Sequence, residues 1–247
     1  MKKAWGLTRS IIFIIVFYLV SAILFVGALP LLLFPRKIVL WVPIVWTTIT
    51  PLLLKWIVGI KINFKGLENL PRQNGYIVAS KHQSAMETLL FHAIIPDSFV
   101  VLKRELMWIP IAGLYALRTG CIPIDRGGGA KTMRKMLTGV QKNLQQGMNL
   151  IIFPEGTRTK PGEKKPYAPG IALLYEQCKV PVVPVALNTG YVWPKNKMMK
   201  YPGTVTVEFL KPIEPGLQKR EFLTELQNRI ETAQEKLPCP FGEGKCS

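Results

Sequence analysis

Tyr76-Ile77-Val78-Ala79, followed at once by Ser80-Lys81-His82-Gln83-Ser84-Ala85-Met86-Glu87-Thr88, is the stretch that decides the fold. A short apolar run breaks abruptly into polar and ionisable side chains, the pattern of a buried strand ending in a loop. The arrangement recurs downstream. Phe99–Leu102, Cys121–Ile124, Leu150–Phe153 and Val180–Leu187 are nearly continuous in apolar residues, as central strands covered on both faces are. In Thr204–Leu210, Val205, Val207 and Phe209 alternate with polar positions, which places that strand near an edge. Helical patterns fill the intervals at Thr88–Ala93, Glu105–Leu117, Thr132–Gln145 and Ile171–Lys179, and Leu223, Leu226, Ile230 and Ala233 mark a last amphipathic helix. The class is α/β, a mixed sheet flanked by helices over residues 61–237, with 238–247 as a loose tail.

Upstream, Ile11–Phe34 runs 24 residues without a charge. As a helix it would extend about 36 Å, against a hydrocarbon core of about 30 Å. A second apolar stretch, Ile38–Leu54, contains Pro43 and Pro51 and is marginal as a span. Bases stand at Lys2–Arg9, at Arg36 and Lys37, and from Lys55 to Lys65, so both ends and the turn are positive and charge bias does not orient a hairpin. Two arrangements stay open: a spanning hairpin, or a helix pair dipped into one leaflet with its bases on anionic headgroups. Val20-Ser21-Ala22 imitates a signal-peptide cleavage site, but the apolar run continues past it. Residues 1–60 are therefore read as a hydrophobic membrane-anchoring helix pair.

The chain has 247 residues, with 32 Lys plus Arg against 15 Asp plus Glu, a formal charge of +17. At 49% hydrophobic and 19% charged it is too apolar for disorder. Eight of the bases precede the first acid, Glu68, and the remaining 24 still outnumber the 15 acids, which favours anionic partners. Nucleic acid is disfavoured, because those early bases flank apolar runs and no zinc-finger, helix-turn-helix or RNA-recognition signature occurs. Phosphate-bearing lipids fit better. Cys121, Cys178, Cys239 and Cys246 show no metal spacing and no CxxC unit, so they read as free thiols in a reducing compartment.

Four clusters carry the candidate chemistry. In the first, a loop-to-helix bend can bring the Glu87 carboxylate beside the His82 imidazole, giving a general base held by an acid. Ser84-x-x-Glu87 is equally a capping box, and the two readings stand level. His92, within a helix and without a carboxylate at comparable spacing, reads as structural. The second cluster, Gly120–Arg126, ends in Asp125 and Arg126 before Gly127-Gly128-Gly129-Ala130-Lys131-Thr132. A P-loop fails there because position 124 is Ile, and Arg126 suits either a phosphate or a surface ion pair. In the third, Phe153-Pro154-Glu155-Gly156-Thr157-Arg158-Thr159-Lys160, a glycine turn exposes amides beside a hydroxyl and cations suited to an anion, or is simply a solvated turn. The fourth, Val180–Ala186, has Pro181 and Pro184 within a strand, which calls for an edge or a bulge. No Gly-x-Ser-x-Gly elbow supports a serine hydrolase.

The order and spacing of these clusters over Lys61–Leu210 resemble the glycerolipid acyltransferase family, on the side of the bacterial 1-acylglycerol-3-phosphate acyltransferases. His82–Glu87 resembles that family's His-x4-Asp block with Glu in place of Asp, and Phe153–Arg158 matches its Phe-Pro-Glu-Gly-Thr-Arg block. The resemblance implies acyl transfer from acyl-CoA or acyl-carrier protein to the free hydroxyl of lysophosphatidic acid, giving phosphatidic acid, with no metal or prosthetic cofactor. It implies His82 as base and Glu87 as its orienting acid, with Lys103, Arg126, Glu155, Gly156, Thr157 and Arg158 at the acceptor. Membrane lipids are then partners, and the expected place is the bacterial inner membrane with the catalytic domain on the cytoplasmic face. Two alternatives remain: acylation of another lysolipid such as lyso-ornithine lipid, and a non-catalytic membrane protein that binds anionic lipids.

Overall fold

The computed structural model describes residues 2–73, 75–125 and 127–242. Its sheet is built from β1 (Ile60–Lys65), β2 (Ile77–Ser80), β3 (Ser98–Lys103), β4 (Ile122–Ile124), β5 (Asn149–Ile152), β6 (Val182–Leu187) and β7 (Gly203–Phe209), in the order β1-β7-β6-β2-β5-β3-β4. Every neighbouring pair is parallel except β6 and β7, so the sheet is mixed, as expected. The carboxyl ends of β6, β2, β5, β3 and β4 consequently share one rim, where open α/β sheets collect their ligands.

The helices are α1 (Lys2–Gly27), α2 (Arg36–Val39), α3 (Trp41–Leu53), α4 (Phe91–Ile94), α5 (Ala112–Arg118), α6 (Gly129–Gln145), α7 (Pro169–Cys178), α8 (Thr189–Val192) and α9 (Lys219–Lys236). One face of the sheet packs on α6, α7 and α9 through Met136, Val140, Ile171, Leu174, Phe222, Leu226 and Ile230. The other face is covered in part by the N-terminal helices. Phe13, Leu54 and Val58 are fully buried in one cluster with Val78, Val183, Val185 and Val205. The anchor is therefore a layer of the fold as well as an appendage to it. Ser10 accepts a hydrogen bond from the Lys200 amide at 2.9 Å, and Lys200 Nζ stands over both the Phe13 and Trp193 rings.

Several expectations need correction. The first helix does not follow the uncharged run Ile11–Phe34. It starts in the basic stretch and stops at Gly27, and Pro30 opens a tighter turn at Leu29–Leu33. Ala4–Gly27 and Arg36–Val58 are each long and apolar enough to cross a membrane. Arg36 does not reach for headgroups: its guanidinium pairs with Asp97 and donates to the Thr119 carbonyl at 3.0 Å, fastening the hairpin to the domain. The helix expected at Glu105–Leu117 is broken into a 3-10 turn (Arg104–Trp108) and α5, because Pro110 cannot continue it. Thr88–Ala93 is likewise a 3-10 turn at Glu87–Leu89 followed by the single turn α4.

β7 lies one strand in from the edge, since β1, not anticipated, pairs along its whole length. The prolines of the fourth cluster do not mark an edge, for β6 is central and fully buried. They mark a bulge. Between the Val185–Phe209 pair and the Val182–Ile213 bridge, two residues of β6 face three of the partner, so the ladder slips one residue beside Pro184, which has no N–H to give it. Cys121 and Cys178 are free, but Cys239 is disulfide-bonded, its partner outside the described residues. A spacing that excludes a redox unit does not exclude a wider loop, and the argument for a reducing compartment loses that support.

Candidate active site

The loop leaving β2 carries His82 and bends at once, so Glu87 turns back beneath it. His82 Nδ1 lies 3.2 Å from Glu87 Oε2. Glu87 is fully buried, and its two oxygens also accept the Ser84 amide at 2.9 and 3.0 Å and the Gln83 amide at 3.3 Å. The two sequence readings of this cluster are thus both realised: one carboxylate ties off the turn and holds the imidazole. Ser84 itself caps Met86 N at 3.2 Å in place of the expected Glu87 amide. The imidazole stacks on Phe153 with ring centroids 4.0 Å apart, so its plane is fixed from β5 while its edge is fixed from Glu87. With Nδ1–H donated to the carboxylate, the lone pair of Nε2 is free, the state a general base requires.

Sequence reasoning missed the supports behind this pair. Thr189, at the start of α8, donates its hydroxyl to Glu87 Oε1. Lys81 is 1% exposed, and its ammonium meets Glu155 Oε1 at 3.0 Å and Glu231 Oε1 at 2.6 Å. Tyr167 donates to the same Glu231 oxygen at 3.2 Å, and burial with the neighbouring Glu231 and Glu155 charges pushes its phenol pKa up. Glu155 Oε2 in turn accepts the His82 amide at 2.8 Å, and Thr159 donates to Glu155 Oε1 at 3.0 Å. A lysine two residues beyond the apolar run Tyr76–Ala79, just after a strand buried at every position, is the available signal for a buried cation. Nothing local announced Glu231, 150 residues away.

The acceptor residues implied by resemblance separate into groups. Glu155 is enclosed and fully engaged, so it supports the His82 backbone and presents no oxygen to the rim. Gly156, at φ +66 and exposed, makes the turn that a side chain would strain. Thr157 and Arg158 follow it half-buried, with no side-chain hydrogen bond or ion pair among the described residues. Lys103 ends β3 on the same rim but pairs at 3.0 Å with Glu105, both about half exposed. Arg126 lies outside the described residues; Ile124, which ends β4, is in register with Lys103. His92 sits beside the amino end of β3, opposite the rim that carries this chemistry. Its Nδ1 bonds Ser98 at 2.8 Å, and burial together with the Arg36 charge pushes its pKa down to about 4.

A family model described as Acyltransferase matches residues 61–188, which span every strand from β2 to β6 and the whole His82–Glu87 loop. The chain belongs to the acyltransferase family. This acyltransferase is 32% identical over 186 residues to the 1-acyl-sn-glycerol-3-phosphate acyltransferase of Pseudomonas aeruginosa, a match covering 75% of this chain and 72% of that protein. It is 32% identical over 162 residues to the alpha form of the same-named enzyme from Mus musculus, covering 64% and 57%. Its fold matches the crystal structure of the 1-acyl-sn-glycerophosphate (LPA) acyltransferase of Thermotoga maritima with a TM-score of 0.77 at 22% identity, over 96% of this chain and 98% of that one.

Proposed function

We propose that this acyltransferase moves a fatty acyl group from a thioester, acyl-CoA or acyl-carrier protein, to the free hydroxyl of 1-acylglycerol-3-phosphate, giving phosphatidic acid for phospholipid synthesis. The observation that carries the mechanism is the 3.2 Å contact from His82 Nδ1 to the buried Glu87 carboxylate, which leaves Nε2 to take the acceptor's proton. The acceptor oxygen then bonds to the thioester carbon, the carbon–sulfur bond breaks, and the imidazolium returns its proton to the leaving thiolate. Glu87 offsets the charge on the imidazolium without accepting the proton. Thr157 and Arg158, whose side chains are unengaged, and Arg126 after β4 take the phosphomonoester; a planar guanidinium grips two of its oxygens. No metal or prosthetic group enters this scheme.

Membrane lipids are partners in this reading, with the helix pair dipped into one leaflet. Supporting it, α1 packs one side, through Ser10 and Phe13, on the domain, and turns Ile11, Ile15, Leu19 and Ile23 outward. A helix held to the domain at Ser10 and Phe13, and again at the Phe25 carbonyl by Tyr115, favours lying along the leaflet over crossing it. We place the protein at the bacterial inner membrane with its site on the cytoplasmic side, where the thioester donors are.

The test is a panel: full-length protein in detergent, several lysolipids, and both thioester donors. Phosphatidic acid is the expected product. Acylation of lyso-ornithine lipid with lysophosphatidic acid untouched would move the enzyme to another acceptor. A folded protein that binds anionic vesicles and acylates nothing would leave a lipid-binding module.

A further inference from the structure

The segment that breaks the expected helix at Pro110 is a compact knob on the surface. Arg104–Trp108 turns tightly, Ile111 sits at φ +66, and a Cβ on Gly113 would fall 2.0 Å from the Met107 carbonyl oxygen, so the two halves are folded hard against each other. This packing sends large apolar side chains outward: Trp108 is 72% exposed, and Leu106, Ile109, Leu114 and Leu117 are exposed as well. Soluble surfaces rarely gather such a patch without a partner.

The knob also adjoins the tip of the N-terminal hairpin. Tyr115 donates to the Phe25 carbonyl at 3.2 Å, Arg118 donates to the Phe34 carbonyl at 2.6 Å, and Ile111 packs in one cluster with Leu31, Leu32 and Val39. On the hairpin, Leu33, Phe34 and Trp41 are exposed, continuing the apolar surface of the knob. Lys37, Arg104 and Arg118 are exposed beside that surface, and two of its members, Trp41 and Trp108, are of the type that settles at lipid–water boundaries.

We propose that residues 104–118 form a second membrane-docking element, which enters the headgroup boundary of an anionic leaflet beside the hairpin tip. The inference rests on the hairpin lying in that leaflet and adds a contact the hairpin alone does not supply. Its consequence is positional. The knob begins directly after Lys103 at the end of β3, on the rim that carries His82, so docking it sets the mouth of the site at the lipid surface. A lipid acceptor can then present its headgroup while its acyl chain stays in the bilayer.

The experiment uses the full chain on vesicles of phosphatidylethanolamine and phosphatidylglycerol, with a photo-crosslinking benzoylphenylalanine placed singly at Trp108, at Ile15 on the outer face of α1, or at Glu225 on α9. Lipid adducts at 108 and 15, with none at 225, are expected. Adducts at 15 without any at 108 overturn the proposal and leave the hairpin reading standing; none at either position removes both. Adducts from 108 to a second copy of the chain, or to added acyl-carrier protein, make the knob a protein-docking surface and overturn it too. In parallel, Leu106→Ser, Trp108→Ser and Ile109→Ser together should cut turnover of vesicle-embedded acceptor at least tenfold and leave turnover of detergent-dispersed acceptor unchanged. Equal losses in both formats would show that the knob serves the fold or the site and not the membrane.

Discussion

The loops after β2 and β5 stand side by side on the rim and are built on opposite plans. After β2, the side chains that set the chemistry are locked: His82 between Glu87 and Phe153, Glu87 by two amides and Thr189. After β5, Glu155 and Thr159 point inward into the same network, while Thr157 and Arg158 between them are left unengaged. The difference separates two tasks. A base must be in position before substrate arrives, so its hydrogen bonds are made within the protein. A ligand-gripping residue must keep its hydrogen bonds for the ligand.

The sharpest way to break that comparison is His82→Ala, which should lower kcat by about 10² to 10⁴ with the fold intact. Unchanged turnover would remove the β2 loop from the chemistry. Next is the support behind it. Lys81→Met leaves Glu155 and Glu231 facing each other without their cation, which should cost about 3 to 5 kcal/mol of stability. It should also lower kcat by about tenfold or more with KM for both substrates unchanged, because the carboxylate holding the His82 amide is disturbed. Lys81→Met with Glu231→Gln should recover part of both losses. A matching fall in stability without any change in kcat would make the network a matter of folding alone.

On the β5 side, Arg158→Lys keeps the charge and loses the fork. The acceptor KM should rise roughly ten- to a hundredfold, the equivalent of about 1.5 to 3 kcal/mol, with the thermal midpoint unmoved. A rise confined to the thioester KM would reassign Arg158 to the donor. Smallest in turnover is His92→Asn, expected within about twofold of the parent. Its signature is in stability. Because the folded pKa is about 4 against an ordinary 6.5, the unfolded chain takes up the proton first as pH falls. His92 therefore contributes stability that is present above about pH 6.5 and is lost towards pH 4, at up to about 1.4 kcal/mol per pH unit. Urea midpoints at pH 7 and 5 should diverge less in the variant than in the parent.

What the sequence disclosed follows the range of the physics involved. Strands β2 to β7 were legible as apolar runs, and His82 with Glu87 was legible because both belong to one short loop. β1 is legible in principle, since Ile60, Ile62 and Phe64 alternate with Lys61, Asn63 and Lys65, which form the exposed side of an edge strand. The break at Pro110 carries its own signal, since a proline stops a helix whatever the apolar period around it. The Lys81–Glu231 and Thr189–Glu87 pairs were beyond reach, since only the packing of α9 and α8 on the sheet makes them neighbours.

The seat of Phe13 in the sheet's own core decides how a water-soluble form of this enzyme has to be made. Cutting away residues 1–59 would strip Phe13, Leu54 and Val58 from the interior, each contributing about 1.5 to 3 kcal/mol where a whole domain holds only about 5 to 15. Truncation would open the barn to remove the paint. Repainting is the workable course: polar replacements at Ile12, Ile15, Leu19 and Ile23 change only what faces outward, and the wall stays up.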